Sequence, residues 1–139
     1  AINMWYDRDI DAVMRRTVGA DGARWCALRA DDAQLAAVAA AADAYPQSGD
    51  LNVYRDADLA FWTAVIIGSG NLAYRLALNT LVRSADDIGR DLFVSVNADM
   101  FLDRQGHIDL AEAITARDGE TAYRLAYQQL SKLVEMLQP

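Results

Sequence analysis

The sequence predicts an all-α domain, an antiparallel bundle of six or seven helices, and three observations carry that prediction. Apolar residues recur at three- and four-residue spacing along almost the whole chain, while the strict alternation of a half-buried strand is nowhere sustained. The composition is 53% hydrophobic, with long alanine-rich runs and only two prolines, as suits packed helices. At 139 residues the chain is long enough to bury one core, and no internal repeat, low-complexity tract or long linker divides it. Residues 1–139 are therefore expected to form one domain.

The first helix is expected from about Asn3 to Val18, with Gly19 and the Asp21-Gly22 pair interrupting or kinking it before Ala23 to Leu28 resumes. Asp31 or Asp32 suits an N-cap for a second helix, Ala33 to Ala44, which ends at the loop YPQSGD because proline disfavours helix in the residue before it. Asp50 to Gly68 and Asn71 to Arg83 follow, separated by Ser69 and Gly70. A further helix is expected from Asp86 to about Val96, then a short link around Asn97 to Asp103, then a helix from Arg104 to Ala116. Asp118-Gly119 separates this from the last helix, Glu120 to Leu137, whose stripe of Ala122, Leu125, Leu130, Leu133 and Leu137 faces a core.

Charge and cysteine content exclude several functions. Thirteen basic against twenty acidic residues give a net charge of −7, the wrong sign for a segment that binds DNA by itself. The single cysteine, Cys26, forms no internal disulfide, which is consistent with a reducing compartment. No run approaches eighteen apolar residues, and AINMWYDRDID lacks the pattern of a signal peptide. A cytoplasmic protein with no membrane partner is expected. The chain starts at Ala1 without a methionine, so it is expected to belong to a longer protein.

The stretch DLAFWTAVIIGSGN, Asp58 to Asn71, puts an acid and an indole four residues apart on one helix face, with Val65 and Ser69 following. Two readings stand: Asp58 at a solvent edge with Trp62 in the core, or a buried acid that is paired or used. His107, the only histidine, reads by itself as a cap or partly buried packing group before it reads as a base or ligand. Gln129 lies beside the apolar stripe of the last helix and needs a hydrogen-bond partner there. Arg15, Arg24, Arg75 and Arg90 are candidates to receive a carboxylate or phosphate at two points. Phosphate-binding loop, nucleophile elbow, HExxH pair and dinucleotide fingerprint are all missing, so the chain is not expected to be an enzyme.

Asp58 with the SGN of Ser69 to Asn71, His107 followed by AEAI at Ala111 to Ile114, and ARDGETA at Ala116 to Ala122 together resemble the C-terminal effector-binding domain of the FadR-type GntR transcription regulators. SGNLAYRLALN and IGRDLF, with His107 fourteen residues after Phe93, are most similar to the FadR (fatty-acid regulator) branch. The resemblance spans essentially the whole chain. Many members hold a divalent metal through one aspartate and three histidines. Asp58 and His107 match that pattern, but Trp62 and Gln129 stand at the other two histidine positions, and neither side chain replaces an imidazole. No metal or other cofactor is therefore expected.

What the resemblance implies is a ligand-sensing, homodimeric regulatory domain that binds an acyl-coenzyme A or a small organic acid within the bundle. DNA would be contacted only through a winged-helix domain upstream. The expected effector contacts are Arg15, the preferred anion contact, with Asp58, Trp62, Asn79, His107, Gln129, Lys132 and Met136. The alternative is a structural dimerisation module whose interior is filled by its own side chains, Trp62 and Gln129 among them.

Overall fold

A computed structural model describes the backbone of residues 4–88 and 98–137, and side chains within 13–83 and 98–132. Among the described residues there are seven helices and no strands. They are α1 (Met4–Arg29), α2 (Asp32–Asp43), α3 (Leu51–Gly68), α4 (Leu72–Ile88), α5 (Ala98–Leu102), α6 (Arg104–Thr115) and α7 (Gly119–Leu137). The all-α bundle is thus what the spacing predicts. None of these helices is long and apolar enough to cross a membrane.

The first helix corrects the expected break. α1 runs unbroken through Gly19 and Gly22, because these glycines serve packing rather than bending. A Cβ on Gly19 would collide with Leu130 of α7 and lie 3.4 Å from the Trp62 ring of α3; one on Gly22 would lie 2.5 Å from Ile66 Cδ1. The most extensive helix pairing is α1 with α7. Both contribute fully buried alanines: Ala20, Ala23 and Ala27 on α1, Ala122 and Ala126 on α7. Small side chains let the two helix axes approach closely. Leu125 of the predicted stripe is only partly buried, and the side chains of Leu133 and Leu137 lie outside the described residues.

Other boundaries follow local chemistry. Asp31 caps α2 in a reciprocal capping box: its carboxylate accepts from the Gln34 amide N–H at 2.8 Å, and the Gln34 side chain accepts from the Asp31 N–H at 3.0 Å. Asp50 caps α3 by accepting from Asn52 and Val53. The turn from α3 to α4 is closed by Gly70, whose φ of 66° favours glycine. On either side of it Ser69 Oγ donates to the Ile66 carbonyl at 2.6 Å and Asn71 Oδ1 accepts from Ala73.

α4 extends to Ile88 without the expected break after Arg83, while the remainder of the helix expected from Asp86 to Val96 lies outside the described residues. The link expected around Asn97 to Asp103 holds the short helix α5, which buries Met100 and Phe101. Between α6 and α7 the left-handed residue is Arg117, at φ 59°, rather than Gly119. The Arg117 guanidinium donates to the Ala27 and Ala30 carbonyls at 3.3 and 2.9 Å, which satisfies the end of α1. Gly119 allows close approach, since a Cβ there would lie 3.2 Å from Leu28.

Candidate functional site

Four polar side chains predicted for the site converge in the core. Asp58, His107 and Gln129 are 4%, 0% and 5% exposed, and Trp62 is buried beside them. Asp58 and Trp62 share a face of α3, His107 comes from the first turn of α6, and Gln129 comes from α7. The reading of Asp58 as a solvent-edge residue therefore gives way to the buried, paired one.

His107 is the hub. Its Nδ1 lies 2.7 Å from the Asp103 carbonyl and its Nε2 lies 2.9 Å from Asp58 Oδ1. An oxygen thus stands within hydrogen-bond distance of each ring nitrogen, and the imidazole bridges the Asp103 carbonyl and the Asp58 carboxylate. The ring is held between aromatic side chains: Tyr45 stacks on it at 4.1 Å between centroids, and Phe61 meets it edge-on at 5.0 Å. Tyr45 is fixed in turn by donating its hydroxyl to the Phe101 carbonyl at 2.7 Å. Burial, and next the Asp58 charge, push the ionisation of that hydroxyl well above the usual tyrosine range.

Gln129 Nε2 lies 3.1 Å from His107 Nδ1 and 3.5 Å from its Nε2. Its Oε1, like Trp62 Nε1, is buried without a hydrogen-bond partner. The donor set does not suit a divalent metal: there is one imidazole beside one carboxylate, the indole has no lone pair to give, and a neutral amide is a weak ligand. Among the described residues no group of three or more His, Cys, Asp or Glu side chains could hold a metal ion.

Asp58 and Trp62 also form part of the wall of a cleft of about 700 Å³, counted with its open mouth. α1 contributes Arg15, Val18 and Gly19; α3 contributes Arg55, Asp58, Leu59, Trp62 and Ile66. Leu78, Leu81 and Val82 of α4, Phe101 of α5 and Leu130 of α7 complete it. The lining is apolar except for two arginines and one aspartate.

The predicted residues divide between wall, backing and surface. Arg15, Asp58 and Trp62 line the cleft, whereas His107 and Gln129 stand behind Asp58. Asn79 is exposed on α4 and does not line the cleft, a correction to its expected place among the polar contacts. Lys132 is also exposed, with Nζ 3.5 Å from Asp103 Oδ2. The Met136 side chain lies outside the described residues.

Of the other candidate arginines, Arg24 lies over the Tyr123 ring at 4.0 Å and reaches Asp21 and Glu120, each at 3.5 Å. Arg75 is exposed, and Arg90 lies outside the described residues. Sequence reasoning missed Arg55. Its signal was spacing, since Arg55, Leu59, Trp62 and Ile66 recur at four, three and four residues and so share a helix face.

Two comparisons with known proteins bear on the chain. The family model for the FCD domain matches residues 12–132, most of its length and all the described cleft residues. A stretch of 19 residues is 95% identical to a protoheme IX farnesyltransferase of Acidiphilium cryptum (strain JF-5). That stretch is 14% of this chain and 6% of the farnesyltransferase, a length comparable to one helix and too short to specify a tertiary site.

Proposed function

Since the chain belongs to the FCD family, the C-terminal regulatory domain of GntR-family regulators, we propose that its cleft binds the effector directly as an organic acid with an apolar group. The carrying observation is the lining itself, with Arg15, Arg55 and Asp58 among otherwise apolar walls on α1, α3 and α4. An arginine receives a carboxylate or phosphate at two points, and the leucine, isoleucine and valine walls favour an alkyl or acyl chain. Acyl-coenzyme A esters and small organic acids both satisfy this description. The FadR branch is favoured by the absence of a suitable metal-ligand set around Asp58 and His107.

Ligand binding would act through linkage. An acid that prefers one arrangement of α1, α3 and α4 shifts a homodimer between DNA-competent and DNA-incompetent states, with DNA held by a winged-helix domain upstream. The net charge of −7 supports assigning DNA contact to that other domain.

A purely structural dimerisation module is the competing reading, favoured by the buried Trp62 and Gln129 but opposed by the open cleft beside them. Thermal-shift measurements with fatty acids, their coenzyme A esters and short dicarboxylates test the proposal. A ligand of the native state raises the melting temperature with concentration, by mass action. Stabilisation by one acid class is expected; no stabilisation by any of them would favour the structural module.

A further inference from the structure

The contacts between α1 and α3 fix the direction of the cleft. A Cβ on Gly19 of α1 would meet Trp62 of α3, one on Gly22 would meet Ile66, and one on Gly68 of α3 would meet Cys26 and Ala30 of α1. Residue numbers rise together on the two helices, so they run side by side in the same direction. Arg15 lies about one turn before Gly19, and Arg55 and Asp58 lie about two turns and about one turn before Trp62. The charged side chains of the lining therefore gather toward one end, and Gly19, Trp62 and Ile66 form the wall toward the other. From Arg55 to Ile66 this wall follows about 16 Å of helix. An acid with its carboxylate at the arginines points its alkyl tail along the wall to Gly19.

There the missing side chain of Gly19 decides how much room the tail has. Gly19, Trp62 and Leu130 all line the cleft. A Cβ on Gly19 would collide with Leu130 Cδ1 and lie 3.4 and 3.6 Å from Trp62 Cζ3 and Cη2. Trp62 and Leu130 are themselves buried, so close-packed protein stands behind them and the free volume beside them is the cleft. A Leu130 methyl displaced by that Cβ has the cleft to move into.

We propose that Gly19 is a specificity-determining residue that sets the length of alkyl chain the cleft accepts, and that the ligand is an alkyl monocarboxylate whose tail lies against Gly19, Trp62 and Leu130. This rests on the reading of the cleft as the effector site and assigns the ligand class and its orientation within it. A second carboxylate at the far end of the ligand would be buried against Trp62 and Ile66, which offer no counter-charge.

Calorimetric titration of the full chain with hexanoate, octanoate, decanoate and dodecanoate tests the assignment. In the native chain affinity is expected to rise about fourfold for each added methylene until the tail fills the cleft. Gly19→Ala is expected to end that rise at a shorter acid, weakening the longest acid the native chain accepts at least about tenfold and leaving hexanoate within about threefold. Leu130→Ala is expected to move the limit to longer acids, and combining it with Gly19→Ala to recover the acids lost in Gly19→Ala. Octanedioate is expected to bind at least about tenfold more weakly than octanoate. A native affinity that does not rise with length, an unchanged length profile or an equal loss at every length in Gly19→Ala, no recovery in the double variant, or equal binding of octanedioate and octanoate would overturn the proposal and leave the cleft assignment standing. Should Gly19→Ala fail to fold, Leu130→Ala decides alone, and an unchanged profile in it overturns the proposal. Binding of none of these acids to the native chain would overturn the cleft assignment and the proposal with it.

Discussion

At the scale of single residues, the core combines the hydrogen-bonded Asp58–His107 pair with buried polar atoms that have no hydrogen-bond partner, Gln129 Oε1 among them, and the two kinds of group should respond differently to mutation. Asp58→Ala leaves the fully buried His107 ring without its partner at Nε2, and a buried polar group left unsatisfied in this way costs about 1–3 kcal/mol. Gln129→Leu removes an amide whose oxygen has no partner and whose nitrogen lies 3.1 Å from His107 Nδ1, so its cost is expected to be smaller than that of Asp58→Ala. Urea unfolding of the two variants measures both; equal losses would contradict the assignment of Asp58 as the group on which the pair depends.

Two buried residues also fix the response to alkaline pH. Burial pushes the Cys26 thiol from 9.0 up to about 11, and burial raises the Tyr45 hydroxyl as well. In both cases the folded protein holds the proton more tightly than the unfolded chain. Their contribution to stability is therefore fully present below the unfolded value and is lost as pH rises from about 9 towards 11 and beyond. Unfolding free energy measured across that range should fall, with a shallower fall in Cys26→Ala. A stability that rises over the same interval would contradict the burial of both groups.

At the scale of elements, the all-α class and the positions of α2, α3, α6 and α7 were legible, because three- and four-residue apolar spacing is a local property, whereas the short helix α5 was expected as a link. The role of glycine was not. Gly19 and Gly22 read as helix breakers by propensity, yet each lies where another helix leaves no room for a Cβ, and no local pattern reveals the partner. Gly68 belongs to the same class: a Cβ there would lie 2.5 Å from Cys26 Sγ and 3.3 Å from the Ala30 Cβ. In Gly68→Ala, an overpacking cost of up to about 3 kcal/mol outweighs about 1 kcal/mol of helix propensity. Gly22→Ala meets only the flexible end of Ile66, so it should lower the urea midpoint less than Gly68→Ala does. The reverse order would contradict the α1–α3 packing described.

The candidate site was legible in the same partial way. Asp58 and Trp62 were visible through their spacing, and Asp58, His107 and Gln129 do meet in the core. What spacing along one helix does not give is depth. His107 and Gln129 turn out to back the wall rather than form it, Asn79 faces out from α4, and Arg55 enters the cleft from α3. Each of these depends on which helix packs opposite, a fact of the whole bundle.

At the scale of the whole molecule, α1, α3, α4, α5 and α7 all contribute to one cleft, so a ligand seated there bears on most of the bundle at once. That is the arrangement an effector needs if it is to shift the packing of helices. The central claim is that this cleft takes an organic acid directly, with arginine rather than metal as its counter-charge. Native mass spectrometry of the chain, dialysed against a chelator and then mixed with octanoate, tests it most directly. The account predicts one octanoate per chain without added metal, and a marked loss of that species in Arg55→Met. Absence of bound acid, or binding that appears only after zinc is added, would contradict it.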